Sequence, residues 1–153
     1  MKRSMSPMKK NRLNTILDVV TRLLIDKPNA SMNEIADSAD IGVVTLHRYV
    51  ETREKLMVHL AIRAIEVVGA TIHENSLTEN NADRYFPKLI EALIPLGDKI
   101  YFLGKDASVY SNPYVKEADQ KLREPVLDTV LILQEKGGLR SKDKNMVPFK
   151  SLF

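Results

Sequence analysis

The chain has no cysteine among its 153 residues. A disulfide framework, a thiolate zinc site and a cysteine nucleophile are therefore excluded, and the composition fits a reducing compartment such as the cytoplasm. Aromatic residues are scarce, at 6%. No run approaches the ~18 consecutive apolar residues of a membrane span, so no membrane association is expected. The basic start, MKRSMSPMKKNR, is followed by apolar positions that Asp18 and Arg22 interrupt, which is unlike the apolar stretch of a signal peptide. Glycine-rich phosphate loops, GxSxG and HExxH do not occur. Strand-like alternation, repeats and low-complexity tracts are absent as well.

What remains is an ordinary soluble composition, 44% hydrophobic and 28% charged, with enough apolar surface for a core. The net charge is only +3, but it is unevenly spread. Residues 1–12 carry Lys2, Arg3, Lys9, Lys10 and Arg12 and no acid. Residues 1–58 hold ten bases against seven acids, which accounts for the whole excess, and residues 59–153 hold thirteen of each. A basic N-terminal arm ahead of a helical module suits a polyanion partner. A solvated tail that aids solubility accounts for the charge alone equally well.

The apolar spacing predicts an all-α chain. Leu13, Ile16, Leu17, Val20 and Leu24 form one helical stripe, which Lys27-Pro28-Asn29 ends. Ser31-Met32-Asn33-Glu34 has the form of a capping box, with the Ser31 hydroxyl accepting from the Glu34 amide and the Glu34 carboxylate reaching back to the Ser31 amide. A short helix should run from Met32 to about Ala39. Asp40 tolerates a left-handed turn, Ile41 plugs the gap, and Gly42 serves as an N-cap. Val43–Val50 favours a strand by propensity, but its surroundings argue for a helix. Thr52 then caps a helix of about five turns. Asn75–Asn81 reads as a loop. Further helices are expected at about 84–94, 95–103 and 113–136, the last opened by Asn112-Pro113, kinked at Pro125 and stopped at Gly137-Gly138. The tail 139–153 should be irregular.

Two short helices joined by a tight turn, the first capped and the second β-branched, form a helix-turn-helix, whose second helix enters the DNA major groove. In one register, residues 31–56 (SMNEIADSADIGVVTLHRYVETREKL) resemble the DNA-binding domain of TetR-type transcriptional regulators. The likeness extends over about residues 9–68. Departures are Asp40 at the usual turn glycine, Gly42 at the usual serine cap, His47 for tyrosine and Val50 for phenylalanine. The resemblance implies that Thr45, Tyr49 and Arg53 hold phosphates, while Val43, Val44 and Arg48 face the groove. Arg48 would be bidentate to a guanine, and a valine would meet a thymine methyl. Lys9, Lys10 and Arg12 would add attraction to the backbone or minor groove, and Gly42, His47 and Lys55 complete the candidate DNA-binding set.

The resemblance divides the chain into a disordered arm (1–8), a DNA-binding domain (9–55), a helical effector-binding and dimerisation domain (56–138) and a tail (139–153). Phe86, Leu89, Ile90, Leu93, Leu96, Tyr101, Phe102, Val109 and Tyr110 are candidates to line a small-molecule pocket, although such stripes more often form plain core. Family members usually continue into two more helices that build the dimer. Here those helices are expected to be missing, with truncation favoured because an apolar face without partners would be sticky. The reading is a ligand-responsive repressor acting as a homodimer on a palindromic operator. Its rival is a helical interaction or ligand-binding protein that has lost DNA binding with its dimer helices. No catalytic residue, cofactor or metal is expected. On one helix, His59 and His73 would lie about 21 Å apart, too far to share an ion.

Overall fold

A computed structural model of the chain describes residues 4–136 other than 79. Its first helix, α1 (Pro7–Asp26), begins earlier than the apolar stripe suggests. Ser6 caps it by accepting from the Lys9 amide at 3.4 Å, and Pro7 occupies the first helical position. Part of the expected disordered arm is thus helix, and Lys9, Lys10 and Arg12 project from α1. The residues buried on it are Leu13, Ile16, Leu17, Val20, Thr21 and Leu24. The Thr21 hydroxyl is satisfied by donating to the Leu17 carbonyl at 2.8 Å.

The next two helices, α2 (Met32–Ser38) and α3 (Val43–Val50), form the expected helix-turn-helix. The Ser31 hydroxyl accepts from the Glu34 amide at 3.1 Å. The returning half of the capping box differs: the Glu34 carboxylate accepts from the Ser31 hydroxyl at 3.4 Å and pairs with Lys27 at 3.7 Å. Asp40 carries the turn at φ 53°, and Gly42 caps α3 with extended backbone. Propensity loses at α3 because Leu46 and Val50 are buried on the core and Val43 packs against it. Burying each such side chain contributes about 1.5–3 kcal/mol, more than a strand preference of about 1 kcal/mol at most.

A second left-handed residue, Glu51 (φ 62°, ψ −63°), separates α3 from α4 (Arg53–Glu74). Thr52 caps α4, its hydroxyl accepting from the Lys55 amide at 3.2 Å. By length and composition α4 could cross a membrane, but Leu56, Leu60, Ala61, Ala64, Ile65, Val68 and Ile72 are buried here. It is the central helix, packed against α1, α3 and the helices that follow: α5 (Tyr85–Leu93), α6 (Gly97–Lys105) and α7 (Pro113–Glu135). Short 3-10 turns precede α5, α6 and α7. Asn112 caps α7, accepting from the Tyr114 amide at 2.9 Å, and the helix continues through Pro125. The expected stop at Gly137-Gly138 and the tail lie outside the described residues.

The buried side chains form two clusters. One joins α1–α4 to Phe102, Leu103, Val109 and Val115. The other gathers Val68, Ile72, Tyr85, Leu89 and Leu133 at the far end of α4. Packing does not break at residue 55: Leu56 and Leu60 share a cluster with Leu17 and Leu46. The helix-turn-helix is thus seated directly on the second layer of helices.

Candidate nucleic-acid interface

Helix α3 has two faces. Leu46 and Val50 are buried, and Val43 and Tyr49 are half-buried against the same core. Val44, His47 and Arg48 are exposed, with Thr45 between the two faces. Val44 is 64% exposed, which is costly for a branched apolar side chain unless something covers it. Val44 and Arg48 are four residues apart and so share one strip of the surface. Gly42, just before this strip, would bring a Cβ no closer than 4.0 Å to the Thr45 hydroxyl.

The surrounding cations are placed against local helix electrostatics. The N-terminal turn of α1 carries Lys9 and no acid, with Lys10 next to it, and both are exposed, as is Arg12. Positive charge at a helix N-terminus opposes the macrodipole, so these residues do not serve helix stability. Their placement suits an external anion.

Three expected DNA contacts have partners inside the protein. His47 Nδ1 lies 3.0 Å from the Glu51 carbonyl oxygen. Lys55 pairs with Glu51. The third is Arg53. Its guanidinium donates to the carbonyls of Pro28 (2.9 Å) and Ala30, so it cross-links the loop before α2.

The effector-pocket candidates do not come together. Phe86, Leu89, Leu93 and Leu96 belong to the far cluster, whereas Phe102, Val109 and Tyr110 belong to the near one. Ile90 and Tyr101 are exposed, at 59% and 52%, and Lys105 Nζ sits 5.4 Å above the Tyr101 ring. The stripes fold as core because each helix turns its apolar face to α4 or to its neighbour. Tyr110 donates to the Leu103 carbonyl at 3.0 Å, and burial pushes its phenol pKa up, with the Asp119 charge adding to the effect.

Charged groups missed by sequence reasoning lie between the layers. Asp18 on α1 accepts both arms of Arg63 on α4 at 3.1 Å and lies 3.4 Å from Lys99 on α6. Asp98 lies 3.8 Å from Lys99 and 3.6 Å from Arg22. Burial works against the Asp18 carboxylate, but its Arg63 hydrogen bonds and the Lys99 and Arg63 charges prevail and hold its pKa below the usual value. On α7, Asp119 accepts from Arg123 at 2.7 Å through one oxygen, and its buried Oδ1 has no hydrogen-bond partner among the described residues. Only the i, i+4 spacing of Asp119 and Arg123 was visible in the sequence. Among the described residues, no three His, Asp or Glu side chains are grouped to hold a metal.

No protein-family model matches the chain. The HTH-type transcriptional repressor LfrR of Mycolicibacterium smegmatis is 30% identical over 98 residues, which is 64% of this chain and 52% of the relative. The solved TetR-like transcriptional regulator LfrR from Mycobacterium smegmatis, in complex with proflavine, superposes with a TM-score of 0.69 and 26% identity. The superposition covers 77% of this chain and 70% of that one. The chain is similar to TetR-like regulators in sequence and in fold. Its all-α fold matches that of the solved TetR-like regulator. The chain spans about half the length of the curated relative that it matches.

Proposed function

We propose that this TetR-like chain is a sequence-specific DNA-binding transcriptional repressor. The observation that carries the reading is α3: a buried Leu46–Val50 face seats it on the core and leaves Val44 and Arg48 exposed together. Arg48 reads a guanine edge, Val44 meets a thymine methyl, and Thr45, Tyr49, His47 and Lys55 lie near the backbone path. Lys9, Lys10 and Arg12 supply further phosphate attraction. Two recognition helices must meet successive major grooves about 34 Å apart, so the protein acts as a homodimer on a palindromic operator, in the cytoplasm where that DNA lies.

The effector is a small molecule, by analogy with the relative solved with proflavine. It acts by binding more tightly to the conformation of lower DNA affinity. The packing of α6 against both α1 and α4 gives such a ligand a route to the helix-turn-helix.

The test is fluorescence anisotropy with the DNA immediately upstream of the coding sequence, repeated across salt. Saturable binding that weakens steeply with salt and is lost on scrambling the site is expected. Binding indifferent to scrambling would defeat the proposal.

A further inference from the structure

Arg53 stands where its own helix favours it least. It is the first residue of α4, at the positive end of the helix dipole. Its guanidinium turns to the loop after α1, where one terminal nitrogen donates to the Ala30 carbonyl and the other to the Pro28 carbonyl at 2.9 Å. Ala30 is buried and immediately precedes Ser31, the cap of α2. Arg53 itself follows Thr52, two residues after α3 ends at Val50. One side chain therefore joins the residues just before the helix-turn-helix to those just after it.

The segment that it closes includes a strained turn. Glu51 has φ 62° and ψ −63°, and the Thr52 amide donates to the Val50 carbonyl at 2.7 Å. This is a γ-turn of the rare, strained kind. Such a conformation persists only where its surroundings over-determine it. Here His47 holds the Glu51 carbonyl, Lys55 holds the Glu51 carboxylate, and Arg53 ties the following residues to the α1–α2 loop.

We infer that Arg53 is a positioning residue for DNA recognition. Its planar fork fixes the two ends of the helix-turn-helix against each other and so sets the direction in which α3 presents Val44 and Arg48. It makes no phosphate contact of its own. The inference rests on the DNA-binding reading above. Lysine keeps the charge but lacks the fork that spans two carbonyls, so the lysine variant separates positioning from phosphate binding.

The experiment uses the full chain as wild type, R53K and R53M. The DNA probe is a duplex that the wild type recovers from a randomised pool. Affinity is measured across salt, and backbone hydrogen exchange is followed on the free proteins. Both variants should bind about tenfold more weakly, with the wild-type slope of log affinity against log salt. Amides of residues 32–50 should exchange faster, while those of α5–α7 stay unchanged. Wild-type affinity in R53K, together with a slope reduced by about 0.9 in R53M, would identify a phosphate contact and overturn the inference. Wild-type affinity in both variants would overturn it too, even with faster exchange, since the clasp would then be structural only. A wild type that recovers no duplex and binds none would overturn the DNA-binding reading itself, and any recognition role for Arg53 with it. The wild-type arm alone distinguishes that outcome.

Discussion

Val44 and Arg48 are exposed one helical turn apart, on a helix whose other face buries Leu46 and Val50. An arginine that only solvates the surface would be replaced at little cost, within about 0.5 kcal/mol. One that grips a guanine loses a bidentate pair. Arg48→Ala should therefore weaken operator binding by about 1–3 kcal/mol and relax preference at one base pair. Anisotropy against single-base operator variants measures both effects, and unchanged affinity with unchanged preference would remove the role. Glu51 gives a contrasting case, a surface residue with the sensitivity of a buried one. Its φ of 62° is strained for any residue with a Cβ and worst for a β-branched one. Glu51→Val should cost about 1–3 kcal/mol of stability, whereas Glu54→Val, on the exposed first turn of α4, should cost well under 1 kcal/mol. Urea denaturation of the two variants makes the comparison, and equal costs would mean that the turn relaxes freely.

Helix α4 gathers most of the packing, and it also carries a titrating group. His59 is half-buried there. Burial lowers its pKa below the ordinary 6.5, the Glu51 charge opposes the shift and the Lys55 charge adds to it. The unfolded chain thus takes up the proton first as pH falls. The contribution of His59 to stability is fully present above pH 6.5 and is lost as pH drops through the lower folded-state value. His59→Gln should flatten the stability profile below about pH 6.5, the ordinary value. Urea midpoints at stepped pH test this, and parallel profiles for variant and wild type would exclude His59 as the group responsible.

The elements themselves were legible where the chain signals locally. Ser31, Asp40, Thr52 and Asn112-Pro113 each sit at the boundary that their side-chain chemistry predicts. Ser6-Pro7 carries the same kind of signal, but the cluster of bases after it read as an arm instead of a helix. Helix α3 was legible only from its neighbours, because tertiary burial and not propensity decides it. For the candidate site, the register showed which side chains share α3, and their division into buried and exposed faces follows from helix geometry. The Arg53 contacts were not legible: its carbonyl partners are 23 and 25 residues away in sequence, and backbone acceptors leave no trace in residue type. The division of the pocket candidates between two clusters was not legible for a related reason, since apolar periodicity marks a buried face without saying which core it joins.

At the scale of the molecule, the two layers meet through charge as well as through apolar packing. Asp18, on the helix that carries Lys9, Lys10 and Arg12, bridges Arg63 of α4 and Lys99 of α6. The Lys99 side chain is only 8% exposed, so its charge is tolerable only while carboxylates face it. Asp18→Leu leaves Lys99, among the described residues, with Asp98 alone, at 3.8 Å, and should cost about 3 kcal/mol. Combining it with Lys99→Met removes the stranded charge, so the double variant should recover about 1–3 kcal/mol relative to the sum of the single variants. The sign with pH follows from the depressed Asp18 pKa. Its contribution is present above the ordinary value of 3.8 and disappears as pH falls through the lower folded-state value, so the recovery should shrink only in strong acid. Chemical denaturation of the four proteins at neutral pH closes the cycle. Strict additivity would mean that the Asp18–Lys99 pair does not couple α1 to α6, and that a ligand moving α6 would have to reach the recognition helix through the Arg22–Asp98 pair and the apolar core.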